Sequence, residues 1–319
     1  MSNSAMPAST NTIAPSGSPL RSFHTAQLDV FAERALEGNM LAVFTDARGL
    51  SNTEMQALAR ETNLSETTFI LPREADTERE HGVKVRIFTT REELPFAGHP
   101  TLGTASWLYW NHPLLRGSDE ICLDLPIGRI PVRFTPPQPG ETGVFGEMRQ
   151  RDPEFGQLHD KAEVAEAIGL NLEDLSSVLP VQTVSTGMAY CIVPLASLAV
   201  ASRLRIPQDR AGKYLAARGA RFFYCITPAA PGSHADWHAR MQFYGTEDPA
   251  TGSAAGCAIS YLARHGAVAS QRKIVIEQGL EMLRPSRIHA HAKYLDEHVS
   301  EVHVGGRTTH VASGRFFLP

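Results

Sequence analysis

Two short segments in different halves of this chain share one pattern: a polar residue before proline, then small residues, then an apolar helix. The first is PFAGHPTLGTASWLYW, Pro95 to Trp110, and the second is EDPATGSAAGCAISYL, Glu247 to Leu262. An ordered set of weaker matches precedes each. GNMLAVF at 38–44 aligns with GMAYCIV at 187–193, ETTFILP at 66–72 with ARFFYCITP at 220–228, and VKVRIF at 83–88 with WHARMQF at 237–243. His99-Pro100 then aligns with Asp248-Pro249, and Gly103-Thr104-Ala105 with Gly252-Ser253-Ala254. Duplication constrains a fold before any single element does, because each copy must bury the same faces. The expected architecture is α/β (α+β): two similar domains facing each other across a cleft, with both loops at one site. Unrelated α/β domains also share strand-strand-helix order, and it is the common loop pattern that favours duplication.

Size agrees with that reading, since 319 residues suit two cores of about 150 residues each. The hydrophobic share of 42% and charged share of 20% are those of a globular chain. A net charge of -4 without any basic run speaks against a nucleic-acid partner. No apolar run approaches the ~18 residues of a membrane span. Residues 1–20 lack both a basic start and an apolar core, so they read as a disordered tail on a soluble, cytoplasmic chain with no membrane partner. Cys122, Cys191, Cys225 and Cys257 are widely spaced in apolar surroundings and read as buried thiols rather than a zinc site or disulfide framework.

The first domain is expected over 21–135 and the second over 144–319, separated by the linker-like PPQPGETG at 136–143. Ser51 and Glu54 form a capping box before a short helix, and TTFILP and VKVRIFTT read as strands about a charged loop, READTEREHG. A helix is expected from Asp160, with Gly169 as its stop.

Within the paired loops, Pro100 suits the first turn of a helix, and Pro249 is expected to play the same part. Leu102, Ala105 and Tyr109 fall on one face of the first helix, and Ala255, Ala258, Ile259 and Leu262 make a stripe on the second. Small residues at the starts, Gly98, Gly252, Ser253 and Ala254, leave unpaired backbone N–H groups open to an anion such as a substrate carboxylate. The plainer meaning of each loop is a helix start with glycine for close packing. Glu66, His99 and Asp248 are the titratable candidates for proton transfer. On pattern alone Glu66 reads first as an exposed charge at a strand start, His99 as a hydrogen-bonded loop histidine, and Asp248 as a helix cap. His289 and His291 form the closest histidine pair, without metal-ligand spacing, so no metal is expected. Dinucleotide, Walker and nucleophile-elbow motifs are absent, which leaves proton transfer without a cofactor.

Six stretches carry a family resemblance: LDVFAERALEGNMLAVF, MQALARETNLSETTFILP, VRIFTTREELPFAGHPTLGTA, EDPATGSAAGCAISYL, EQGLEMLRPS and VHVGGRTTHVASGRFFLP. From about Arg21 to the C-terminus the chain resembles the PhzF-like phenazine-biosynthesis family, related in fold to diaminopimelate epimerase. The resemblance implies two domains, each a curved mixed sheet wrapped around a central helix, with the last strands returning to the first domain. It also implies a homodimer. Glu66 corresponds to the family's proton shuttle, His99 and Asp248 to groups that orient or relay protons, and Gly98, Gly252 and Ser253 to the substrate's surroundings. Asn39 lies on the substrate side, beside Met40, which stands where many relatives have proline. Diaminopimelate epimerase uses two cysteines near the helix starts; Gly98-His99 and Thr251-Gly252 stand here instead, which disfavours two-thiol chemistry and leaves Cys257 to packing. The implied reaction is isomerisation of trans-2,3-dihydro-3-hydroxyanthranilate, in which a proton moves between ring carbons and an enol becomes a ketone. The alternative is a non-catalytic protein, binding or regulatory, that keeps the same cleft for a small anion.

Overall fold

A computed structural model describes residues 20–319, so all but the last residue of the expected N-terminal tail lies outside the described residues. The sheet that dominates it has 16 strands, and its pairing directions run through the same series twice. In the first pass, Arg21–Val30 pairs antiparallel with Asn39–Phe44, which pairs parallel with Glu66–Leu71, which pairs antiparallel with Val83–Phe88. In the second, Val181–Ser185 pairs antiparallel with Ala189–Pro194, which pairs parallel with Phe222–Pro228, which pairs antiparallel with Trp237–Arg240. Each series then sends a helix through the interior, Gly98–Asn111 or Gly252–Arg264, and resumes with a parallel pairing to the next strand. The aligned sequence segments thus occupy equivalent strands.

The Gly98–Asn111 helix is ringed by strands, since His298–Leu318 pairs with Val144–Arg149 on one side and with Arg21–Val30 on the other, closing the circuit. The 21-residue last strand serves both passes: it first pairs with Ser286–Leu295 beside the second helix, then runs on to complete the ring about the first. Both helices are buried on every side over their N-terminal two-thirds, including Leu102, Ala105, Ala255, Ala258, Ile259 and Leu262. A helix apolar all round belongs inside a core, so the one-faced stripes expected from sequence understate their burial.

Local rules account for most of the flanking elements. Ser51 and Glu54 close the capping box of the Asn52–Thr62 helix, and Gly169 ends Lys161–Ile168 with φ 76°. Three expectations need correction. The charged stretch read as a loop contains a helix, Ala75–His81, with no buried residue and an Asp76–Arg79 pair one turn apart. Pro249 lies before the Gly252–Arg264 helix, whereas Pro100 does sit in its helix's first turn. Cys122 is only half-buried, beside Arg129, while the other three thiols are buried. Residues 136–143, read as a linker, join Gly128–Thr135 to Val144–Arg149, and those two strands pair with each other antiparallel. No helix among the described residues is long and apolar enough to cross a membrane.

Gly143, at the end of that turn, has φ +71°, and a Cβ there would run into the backbone carbonyl oxygen of Thr308. Left-handed backbone and a clash with an immobile group together set the expected cost of Gly143→Ala at about 2 kcal/mol or more. A urea midpoint lowered at unchanged slope checks this; an unchanged midpoint would show that the ring tolerates a shift at its closing strand.

Candidate active site

The two central helices begin against one another. A Cβ at Gly98 would sit 3.2 Å from the Ser253 backbone nitrogen and 3.4 Å from the Gly252 carbonyl carbon. Neither helix has a side-chain cap or an acidic residue in its first turn. Their first N–H groups therefore carry unbalanced positive partial charge at the place where both chain halves meet.

The three proton-transfer candidates, Glu66, His99 and Asp248, lie at this junction. Asn39, at the start of its strand, donates Nδ2–H to Asp248 Oδ1 at 2.8 Å and to the Ala250 carbonyl at 2.9 Å, and lies 3.4 Å from His99 Nδ1. Glu66 opens the neighbouring parallel strand and places Oε2 3.4 Å from the same His99 Nδ1. Thr251 donates its hydroxyl to Asp248 Oδ2 at 2.6 Å. Ser253 shares a 2.7 Å hydrogen bond with Tyr190. Gly252 lies against Phe31, whose ring would be 2.8 Å from a Cβ at that position.

Burial sets the charge states. Desolvation, reinforced by the nearby charge of Asp248, pushes Glu66 up to about 8. Asp248 is also raised by desolvation, but hydrogen bonds from Thr251 and Asn39 hold it to about 6. His99 is pushed down to about 3 by burial, against the opposing pull of the Met40 backbone. At neutral pH these values leave Asp248 ionised, Glu66 mostly protonated and His99 neutral. The close approach of Glu66 and His99 is therefore a contact between neutral groups, with His99 Nε2 buried and without a hydrogen-bond partner among the described residues. Two adjacent carboxyl groups with separated pKa values are what acid and base roles require of one site.

Sequence reasoning missed the scaffold behind these groups. Gln278, fully buried, donates Nε2–H to the Asp248 carbonyl at 2.7 Å and to Thr251 Oγ1 at 2.9 Å, while its Oε1 accepts from Tyr224 at 3.0 Å. Gln150 donates to the Gly252 carbonyl at 2.9 Å and accepts from Thr186 at 2.7 Å. Arg284 binds the Gly38 carbonyl at 2.9 Å and Asp29 at 2.8 Å, fixing the turn into Asn39. Gln278 and Arg284 fall in or beside EQGLEMLRPS, but no spacing rule ties them to a loop thirty or more residues away. Cys257 is buried, its thiol pushed up to about 11 by desolvation, as a packing residue's would be.

The family model described as phenazine biosynthesis-like protein matches residues 28–314. The chain belongs to that family. A trans-2,3-dihydro-3-hydroxyanthranilate isomerase of Pseudomonas aeruginosa is 38% identical, over 91% of this chain and 98% of that protein. Among solved structures, a PhzF-family protein of Bacillus anthracis superposes with TM-score 0.82 at 26% identity, covering 93% of this chain and 99% of that one. A structure described as a predicted epimerase of Pseudomonas aeruginosa superposes with TM-score 0.77 at 35% identity, covering 92% and 99%. Several of these relatives are named isomerases or epimerases, and the resemblance noted from the six stretches holds over nearly the whole chain.

The raised Glu66 makes a testable contribution to stability. The folded chain keeps this proton up to about 8, whereas the ordinary carboxyl releases it near 4.5, so the stability it lends is full below 4.5 and lost as pH rises through 8. Glu66→Gln is expected to be more stable than wild type by a few kcal/mol at pH 8, the difference shrinking towards pH 5. Urea melts of both proteins across that range test it, and a constant difference would place the Glu66 carboxyl in water.

Proposed function

We propose that this chain is a cofactor-independent isomerase in which Glu66 carries a proton between two carbons of a small carboxylate substrate, and that trans-2,3-dihydro-3-hydroxyanthranilate is that substrate. The observation that carries the reading is a largely buried carboxyl group 3.4 Å from His99, at one of two uncapped helix starts that meet there, where desolvation raises its pKa to about 8. A base of that strength works near neutral pH, where an ordinary glutamate is too weak. The identity to isomerases of that name supports the choice of substrate.

In this reading the substrate carboxylate lies at the N–H groups of Gly98, Gly252 and Ser253, where the helix dipoles favour negative charge. Glu66, as the carboxylate, takes a proton from a ring carbon, and the electron pair left behind spreads through the conjugated system towards the bound carboxylate. The resulting acid returns the proton to a second ring carbon, which leaves an enol, and the enol becomes the ketone as its hydroxyl proton is lost to water and a further ring carbon takes one up from water. Protons and electrons balance without any second reactant. His99 orients the Glu66 carboxyl, and Asn39 keeps Asp248 ionised as the partner that makes Glu66 a stronger base. The two wraps of the sheet are two similar domains: 20–149 with the end of the last strand, and 154–302, with the reaction between them.

A protein that only bound an anion would gain nothing from a second carboxylate, since the Asp248 charge works against ionised Glu66. The discriminating experiment is NMR of 2,3-dihydro-3-hydroxyanthranilate and related ring carboxylates in D2O, with wild type beside Glu66→Gln. Wild type is expected to move a carbon-bound proton, and the variant to lose about 10²- to 10⁴-fold in kcat with little change in binding. For wild type, kcat/KM should rise with pH towards a limb near 8, the value of the free enzyme's Glu66. Binding without exchange of any carbon-bound hydrogen would replace the isomerase by the anion-binding reading.

A further inference from the structure

Alternate residues of the last strand face opposite ways. Val304 points inward, with Cγ1 3.8 Å from where a Cβ of Gly252 would lie, whereas His303 points to the outer face of the sheet. There it meets two residues from the strands on either side. His291 stands directly opposite His303 in the antiparallel register, and their imidazoles stack with centroids 4.7 Å apart and planes 3° from parallel. Glu147, on the other neighbouring strand, is opposite Gly305 and reaches diagonally across it. Its Oε2 lies 3.4 Å from His291 Nε2 and its Oε1 3.3 Å from His303 Nδ1. Gly305 makes the approach possible: a Cβ there would sit 3.0 Å from Glu147 Cβ.

We propose that Glu147, His291 and His303 form a binding site for one divalent transition-metal ion, with zinc as its best-fitting occupant. One ligand atom from each lies within 4.8 Å of the others. Bonds of about 2.0–2.1 Å to a tetrahedral zinc place neighbouring ligand atoms about 3.3–3.4 Å apart, and the carboxylate comes that close to each imidazole, through Oε2 to His291 and through Oε1 to His303. Two imidazoles and one carboxylate select zinc, cobalt or nickel over magnesium and calcium, which take oxygen. All three residues are about one-fifth to one-quarter exposed, so an ion can enter and a water can take the fourth position. The ion would tie Val144–Arg149, Ser286–Leu295 and His298–Leu318 together on the face opposite the active site, and it takes no part in proton transfer.

The experiment is titration of chelator-stripped full-length protein with ZnCl2 in competition with a chromophoric chelator, and with CoCl2 read by its visible ligand-field bands. One saturable equivalent is expected, with cobalt bands of tetrahedral type and a raised thermal midpoint. His291→Asn and Glu147→Gln should each weaken zinc binding about 100-fold or more, while His81→Asn, at an exposed position, should leave it unchanged. The absence of a saturable step in wild type overturns the proposal. So does binding that survives in the His291→Asn/His303→Asn double variant, because the ion would then sit elsewhere.

Discussion

The hydrogen bond from Asn39 to Asp248 joins residues 209 positions apart and ties the two halves of the chain together where the two central helices begin. Around it, the same amide reaches the Ala250 carbonyl, Thr251 closes on the second carboxylate oxygen, and Gln278 braces the loop from behind. Remove that bridge and nothing else on the Asn39 side fixes where the Asp248 charge lies. The electrostatic environment of Glu66 depends on it, because the Asp248 charge it positions adds to the upward push on the Glu66 carboxyl.

That environment shows how burial and hydrogen bonding divide labour between two similar groups. Asp248 and Glu66 are both withdrawn from water, but Asp248 accepts from two side chains and Glu66 has no comparable donors. Desolvation alone raises both; the donors pull only one back. The uncapped helix starts beside them add positive partial charge without adding a titratable group.

Much of this was legible in the sequence because it is local or repeated. The strands, the capping box at Ser51 and the stop at Gly169 follow from short-range rules, and the aligned halves marked equivalent strands and, to within about a turn, both helix starts. What escaped was decided by distant neighbours. The Ala75–His81 helix buries nothing, so no apolar period announced it. Glu66 is one of three titratable candidates but reads on pattern first as an exposed charge, and the family resemblance favours the proton-transfer reading, since its partial burial comes from a helix and a loop far along the chain. His291 and His303 are twelve positions apart, and strand register, not spacing, brings them together with Glu147.

The last strand carries a consequence for how the molecule is made. Its final residues complete the ring around the Gly98–Asn111 helix by pairing Leu318 with Arg21 and Thr308 with Val30. Until residues 308–318 have left the ribosome, Arg21–Val30 has an open edge and the first helix lacks one wall of its core. Such a long-range closure is slow, because the entropy of a loop spanning nearly the whole chain must be lost before its contacts form. An open strand edge is also a template for pairing with other chains. The stretch HVASGRFFLP at the C-terminus is therefore the segment whose late arrival decides between closure within one molecule and association between several.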